Sequence, residues 1–133
     1  MKTRIILVTP FRGNGDGGYS ENIHFARRCM YDSLARGEAP FASHLLYPIR
    51  CSGVLDDTKA DERQRGLDAE KQWIKQAELL VVYTDQGISS GMQKAIEYAG
   101  EIQLPTKFRV LGSSEFAPEE GLIKRLGSGE VGM

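Results

Sequence analysis

The segment Ser89-Ser90-Gly91-Met92 has the residue types that hold a phosphate group. It follows an aliphatic run and precedes a stretch with helical periodicity, so hydroxyl groups and an unhindered glycine amide meet at the positive end of a helix. Such a terminus can bind a monophosphate without a lysine. Ser89 or Ser90 can also cap the helix, which is the commoner role of serine there, and capping and phosphate binding can coexist.

A second candidate anion site follows the first aliphatic run, at Thr9, Phe11, Arg12 and Gly13. Backbone amides, a guanidinium group and the next helix terminus can converge there on one phosphate. Residues 13–18 also match the dinucleotide pattern G-x-G-x-x-G, but the first glycine does not directly follow the strand, and the chain is too short for both halves of a dinucleotide fold. An NAD(P)-binding module is therefore only the third hypothesis.

His44 and Asp57 are the polar candidates in the middle of the chain, and both are included in the predicted binding site. Each residue type also has an ordinary structural role, a hydrogen-bonded histidine or a helix cap. The spacing of Cys, His and Asp indicates no metal site, and no cofactor is expected. Cys29 and Cys51 are predicted to be reduced thiols, with Cys29 in the core.

Aliphatic runs and amphipathic segments alternate along the chain and must position these loops. The predicted strands are 4–8, 42–47, 79–84 and 108–111, and the predicted helices are 20–36, 60–77, 90–103 and 119–126. This alternation implies right-handed crossovers and a single doubly wound, Rossmann-like α/β domain with a parallel sheet of four to five strands. Ligands bind such sheets at the carboxyl ends of the strands, where the candidate loops lie.

Composition limits the classes of partner. Seventeen Lys and Arg against 18 Asp and Glu give a formal net charge of −1, so there is no global positive field to hold duplex nucleic acid. No apolar run reaches the roughly 18 residues of a membrane span, and the first run is too short for a signal peptide. We expect a cytoplasmic protein with one domain over residues 1–126 and a flexible tail over 127–133, and with no membrane partner.

Several segments together resemble the nucleoside 2-deoxyribosyltransferase superfamily, in particular its small members related to deoxynucleoside 5′-monophosphate N-glycosidases. The matching stretches are Val8 to Gly13, Ser43-His44-Leu45, Glu70 to Val82, and Ser89 to Met92 continuing to Ile96 to Ala99. The resemblance implies cleavage or transfer of the N-glycosidic bond of a nucleotide or nucleoside. It also implies a homodimer or higher homo-oligomer whose neighbouring subunit helps to close the site.

The resemblance assigns roles to individual positions. The monophosphate would be held at Arg12, Gly13, Ser89 and Gly91, and His44 would lie near the pocket wall. Glu70 occupies the place of an acidic residue near the sugar and base, one methylene longer than the expected aspartate. In that superfamily a glutamate in the helix after Ser-x-Gly attacks the anomeric carbon and forms a glycosyl-enzyme, as in retaining glycosidases.

Position 95 departs from this pattern, because Ala95 stands where the nucleophilic glutamate is expected. Glu97 cannot simply replace it, since two residues rotate a helical side chain by about 200°. We expect this chain to be inactive by the covalent route. Either it is an enzyme disabled by loss of the glutamate, which holds uncleaved substrate, or it is a natural protein that binds a nucleotide signal without turnover. Retention of Glu70 favours the first interpretation.

Overall fold

The computed structural model describes residues 2–11 and 18–112, and their four strands form one parallel sheet in the order β2-β1-β3-β4. The elements are β1 (Arg4–Val8), α1 (Tyr19–Ala35), β2 (Ala39–Phe41), two 3-10 helices (Ser43–Leu45 and Ile49–Cys51), α2 (Ala60–Gln76), β3 (Leu79–Tyr83), α3 (Ser90–Glu101) and β4 (Thr106–Arg109). This arrangement confirms the predicted doubly wound α/β class. None of the described helices is long and apolar enough to cross a membrane.

β1 lies inside the sheet and is buried on both faces, as its continuous aliphatic sequence predicts. Successive strand side chains point to opposite faces. Ile5 and Leu7 therefore share one buried cluster with residues of α1, including Cys29, whereas Ile6 and Val8 share the opposite cluster with residues of α2 and α3. The helices cover both faces of the sheet, and the core consists of these two layers.

The predicted strand over 42–47 is wrong. The second strand is Ala39–Phe41, in which the Ala39 amide donates a hydrogen bond to the Thr3 carbonyl at 2.8 Å, and Ser43–Leu45 forms a 3-10 helix. Proline cannot donate to a sheet ladder, but Pro40 is tolerated in this strand because β2 lies at the sheet edge. His44 consequently lies on a helical turn at the end of β2.

The other predicted boundaries differ from the observed ones by one or two residues. The largest shift within the sheet is at β4, which begins at Thr106 because Thr106 pairs with Leu80 of β3. α1 ends before Gly37, whose φ of 87° lies in the left-handed region that favours glycine as a helix stop. The predicted helix 119–126 and the predicted tail 127–133 lie outside the described residues.

A buried polar network joins α1 to the ends of β3 and β4. Arg109 donates hydrogen bonds to both carboxylate oxygens of Glu38, at 2.9 and 2.8 Å, and to the Tyr83 hydroxyl at 3.1 Å. The Tyr83 hydroxyl in turn donates to Asp32, which is paired with Arg36 at 2.8 Å. α1 therefore buries polar residues near its end, while the apolar side chain of Leu34 is exposed.

Candidate functional site

The candidate site lies where the chain changes direction across the sheet. β1 and β3 are neighbours, but the chain leaves β1 for α1 on one face and leaves β3 for α3 on the other, which creates a crevice at their carboxyl ends. A cleft of about 880 Å³ opens there between α2 and α3. It is lined by all the predicted site residues within the described ranges: Thr9, Phe11, His44, Asp57, Glu70, Ser89, Ser90, Gly91, Met92 and Ala95. Arg12 and Gly13 lie outside the described residues.

The first turn of α3 faces the cleft with an uncovered backbone. Ser89 caps the helix, since its Oγ accepts a hydrogen bond from the Met92 amide at 3.3 Å, and the buried Met92 side chain accepts one from the Ser89 amide. A Cβ added at Gly91 would meet no atom within 4 Å other than those of its chain neighbours and of its own helix backbone. The capping role of Ser89 is confirmed, and the open space beside Gly91 leaves room for an anion at the positive helix terminus.

Thr9 and His44 form one wall of the cleft. Thr9 Oγ1 and His44 Nε2 share a hydrogen bond at 2.7 Å, and the Phe11 ring meets the His44 ring edge-on with centroids 6.1 Å apart. Burial disfavours the imidazolium form and lowers the pKa of His44 to about 4. The ring is therefore neutral at pH 7 and acts in the wall as an uncharged hydrogen-bonding group.

Glu70 is one of the carboxyl groups that α2 contributes to the lining of the cleft. Its Oε2 accepts a hydrogen bond from the Ser43 hydroxyl at 2.9 Å. Burial raises the pKa of Glu70, and the Ser43 hydrogen bond opposes the rise without cancelling it. The proton is thus held more firmly than in an exposed glutamate, as suits a proton donor. Glu97, which also lines the cleft, accepts a hydrogen bond from the Gln93 side chain at 3.3 Å, an i, i+4 pair along α3.

Asp57 is buried, but its carboxylate is engaged by protein groups. It accepts hydrogen bonds from Arg50 Nε at 3.3 Å and from the Tyr19 hydroxyl at 3.4 Å, and the Arg50 guanidinium stacks 3.8 Å above the Tyr19 ring. Asp57 thereby ties the loop before α2 to the start of α1. The described part of the chain contains no group of three or more His, Cys, Asp or Glu placed to hold a metal ion.

Sequence reasoning missed several cleft residues, of which Lys71 and Tyr98 are the most distinctive. Lys71 Nζ lies 5.2 Å from the centroid of the Tyr98 ring, so the pair bridges α2 and α3. Tyr98 could have been found from its spacing, because Gly91, Ala95 and Tyr98 lie at i, i+4 and i+7 on one helix face. The contact between the two helices had no signal in the sequence.

The low pKa of His44 predicts a specific dependence of stability on pH. Because the folded state protonates His44 only near pH 4 and an unfolded histidine near 6.5, the contribution of His44 to folding is complete above pH 6.5 and is lost as the pH falls towards 4. The loss is about 2–3 kcal/mol in the free energy of unfolding. Urea unfolding between pH 7 and 4 gives the free energies of unfolding of the protein and of a His44→Gln variant. The difference between these two free energies should change by this amount over the pH range.

His24→Gln, at an exposed position of α1, is the matched control for this measurement. If the free energies of unfolding of the unsubstituted protein and of His44→Gln change equally with pH, the folded state protonates His44 as readily as the unfolded state does, and the prediction is wrong.

A family model described as a domain of unknown function, DUF7768, matches residues 3–109. The match spans all four strands and every described residue that lines the cleft. No curated protein matches the chain at a significant level. Because the family model covers most of the sequence, the chain belongs to the DUF7768 family.

Proposed function

We propose that the cleft binds a nucleoside 5′-monophosphate, with the phosphate at the first turn of α3 and the N-glycosidic bond between Glu70 and Ala95. The observation that carries this proposal is the convergence of two strand-end segments, Thr9 to Phe11 and Ser89 to Met92, on one cleft between β1 and β3. The sequence resemblance to nucleotide N-glycosidases supports the choice of ligand.

The spacing of cleft residues along α3 agrees with the order of groups in a nucleotide. At 1.5 Å per residue, Ala95 lies about 6 Å and Tyr98 about 10 Å along the helix axis from Gly91. A nucleotide presents its phosphate, sugar and base in the same order. A phosphate at Gly91 therefore brings the sugar to the level of Ala95 and the base to the level of Tyr98.

Cleavage of the N-glycosidic bond is the second candidate function, and Glu70 is the residue that favours it. Its raised pKa, caused by burial, would let it protonate a departing base. The covalent route also needs a carboxylate at position 95, where this chain has Ala95. We therefore propose that the chain binds the nucleotide without cleaving it by that route.

The expectations of a homo-oligomer and of a cytoplasmic location belong to this proposal as well. In the superfamily that the sequence resembles, a neighbouring subunit helps to close the site. The cleft between α2 and α3 is the surface where such a neighbour would contribute.

Gly91→Ala tests the position of the phosphate. We expect it to weaken nucleotide binding at least about tenfold, because the new methyl group enters the space that the phosphate would occupy. Folding should be unimpaired or slightly improved, since alanine is the better helix former. Titration calorimetry with nucleoside monophosphates measures affinity, and thermal unfolding measures stability.

Gly100→Ala is the matched control, because Gly100 lies on the same helix, has equally open space and does not line the cleft. Its nucleotide affinity should equal that of the unsubstituted protein. Equal affinities for all three proteins, or nucleosides that bind as tightly as their monophosphates, would contradict the phosphate position. Tight NAD(P) binding that ignores changes at Ser89 and Gly91 would favour the dinucleotide hypothesis instead.

A further inference from the structure

The contact between Lys71 and Tyr98 has no role in the function proposed so far. The Lys71 ammonium lies 5.2 Å from the Tyr98 ring centroid, within the range of about 6 Å for a cation–π interaction. Both residues line the cleft. Within the described ranges Lys71 makes no ion pair, so its N–H donors are not committed to a carboxylate.

We propose that Lys71, positioned by Tyr98, recognises the base and makes the cleft selective for a 6-oxopurine. This inference rests on the proposed function, because a phosphate at the first turn of α3 is what brings the base to the level of Tyr98. Lys71 directly follows Glu70 on α2, so the residue beside the glycosidic bond and the residue beside the base are consecutive in the sequence.

The chemistry of the ammonium group determines which base it favours. Lysine has three donors and no acceptor. A 6-oxopurine such as guanine or hypoxanthine presents O6 and N7 as two neighbouring acceptors, whereas adenine places an N6 amino donor beside N7. Cytosine likewise presents an amino donor, and thymine presents a single O4 acceptor. On the base edge that carries N7 in purines and C5 in pyrimidines, Lys71 can therefore pair with two neighbouring acceptors only when the base is a 6-oxopurine.

The other cations that line the cleft are less suited to this role. Arg63 Nη1 donates a hydrogen bond to the Asp57 carbonyl at 3.1 Å, which holds it at the start of α2. Lys94 is only three residues from Gly91 on α3, so it lies about one helical turn from the proposed phosphate position. It is therefore nearer to the phosphate than to the base at the level of Tyr98. Lys71 is the cation that the Tyr98 ring holds at that level.

The experiment compares the unsubstituted protein with Lys71→Met and with Lys75→Met as the control. Lys75 lies one turn further along α2, is exposed and does not line the cleft. The probes are the 2′-deoxynucleoside 5′-monophosphates of guanine, hypoxanthine, adenine, cytosine and thymine, with inorganic phosphate as a competitor. Titration calorimetry gives the affinity for each nucleotide, from which the ratio between bases follows. Removal of one positive charge affects all the monophosphates alike and leaves this ratio unaltered.

We expect the unsubstituted protein and Lys75→Met to bind the two 6-oxopurine nucleotides about tenfold more tightly than the adenine nucleotide. Lys71→Met should bring this ratio close to one while inorganic phosphate still competes. Tyr98→Leu should lower the ratio, because the lysine loses the ring that positions it.

The outcomes separate the two proposals. If every monophosphate binds with equal affinity and Gly91→Ala still weakens them all, the nucleotide site stands and recognition by Lys71 is wrong. Recognition by Lys71 is also overturned if the unsubstituted protein prefers adenine or a pyrimidine. The same holds if Lys71→Met keeps the 6-oxopurine preference unchanged. If no monophosphate binds, the proposed function fails and this inference fails with it.

Discussion

An Ala95→Glu variant is expected to release free base from nucleoside 5′-monophosphates at least about a thousandfold faster than the unsubstituted protein. Ala95 lines the cleft on α3, and Glu70 lines it on α2, so the substitution would place a carboxyl group in the same cavity as Glu70. Loss of a catalytic nucleophile commonly costs several orders of magnitude in rate, and restoring it should recover a large part of that factor.

The restored reaction can be written with both carboxyl groups in defined roles. The introduced carboxylate attacks the anomeric carbon, the carbon–nitrogen bond breaks, and the base leaves with the bonding electrons and takes the proton of Glu70. Water then attacks the same carbon and gives a proton to the Glu70 carboxylate as the bond to position 95 breaks. The products are free base and the sugar phosphate, and both carboxyl groups return to their starting states.

Two further variants separate chemistry from shape. Ala95→Gln has nearly the same size and lacks the nucleophile, so it should remain inactive. Adding Glu70→Gln to Ala95→Glu should reduce the rate by about 10²- to 10⁴-fold, because the leaving base loses its proton donor. Chromatography measures free base, and mass spectrometry detects the glycosyl adduct. An Ala95→Glu variant that binds nucleotides yet cleaves none would leave the binding-protein interpretation in place.

Arg109→Met is expected to lower the free energy of unfolding by about 3–5 kcal/mol. The Arg109 and Glu38 side chains are only 2% and 15% exposed, and the guanidinium contacts both Glu38 oxygens and the Tyr83 hydroxyl. Methionine fills part of the space but leaves a largely buried carboxylate without its partner. Urea denaturation monitored by circular dichroism measures the loss.

Arg4→Met is the control for the loss of a positive charge. The Arg4 and Glu78 side chains are 63% and 49% exposed and lie 3.6 Å apart, and an ion pair this exposed contributes at most about 1 kcal/mol. If Arg4→Met and Arg109→Met lower the free energy of unfolding by similar amounts, burial of the ion pair does not determine the size of the destabilisation.

The pH dependence of the Arg109→Met effect provides a second check. Burial alone would raise the pKa of Glu38, but hydrogen bonds and charge from Arg109, with Ser33 assisting, outweigh burial and hold it below the usual value. The stability that Glu38 contributes is therefore present above the ordinary carboxyl pKa and is lost as the pH falls through the lowered one. The difference in the free energy of unfolding between the unsubstituted protein and Arg109→Met should therefore become smaller at acid pH.

The sequence predicted the parts of the fold that depend on local pattern. The aliphatic runs of β1 and β3 indicated buried parallel strands, and the rule that ligands lie at the carboxyl ends of such strands selected Thr9 and Ser89 correctly as cleft residues. β2 was misplaced because it has only three residues, one of them Pro40, and pairs with β1 through contacts distant in sequence.

Other features of the site depend on tertiary contacts that have no local pattern. Asp57 lines the cleft, and its carboxylate is paired with Arg50 of the second 3-10 helix and with Tyr19 of α1, two contacts that had no signal in the sequence. Likewise, a charged residue at a strand end, such as Arg109, is ordinarily expected in solvent. Its burial follows from Glu38, a residue far away in the sequence.

The position of Pro40 affects how copies of this chain can associate. In a parallel strand the amide and carbonyl of one residue point to the same side, and Ala39 already donates to Thr3 on the β1 side. The backbone groups of Pro40 therefore point to the side of β2 away from β1, and proline has no amide hydrogen to donate there. An incoming strand would find no donor within Ala39–Phe41, so the sheet is protected there against edge-to-edge aggregation. Among the described strands, β4 is therefore the sheet edge that remains for pairing between copies of this chain.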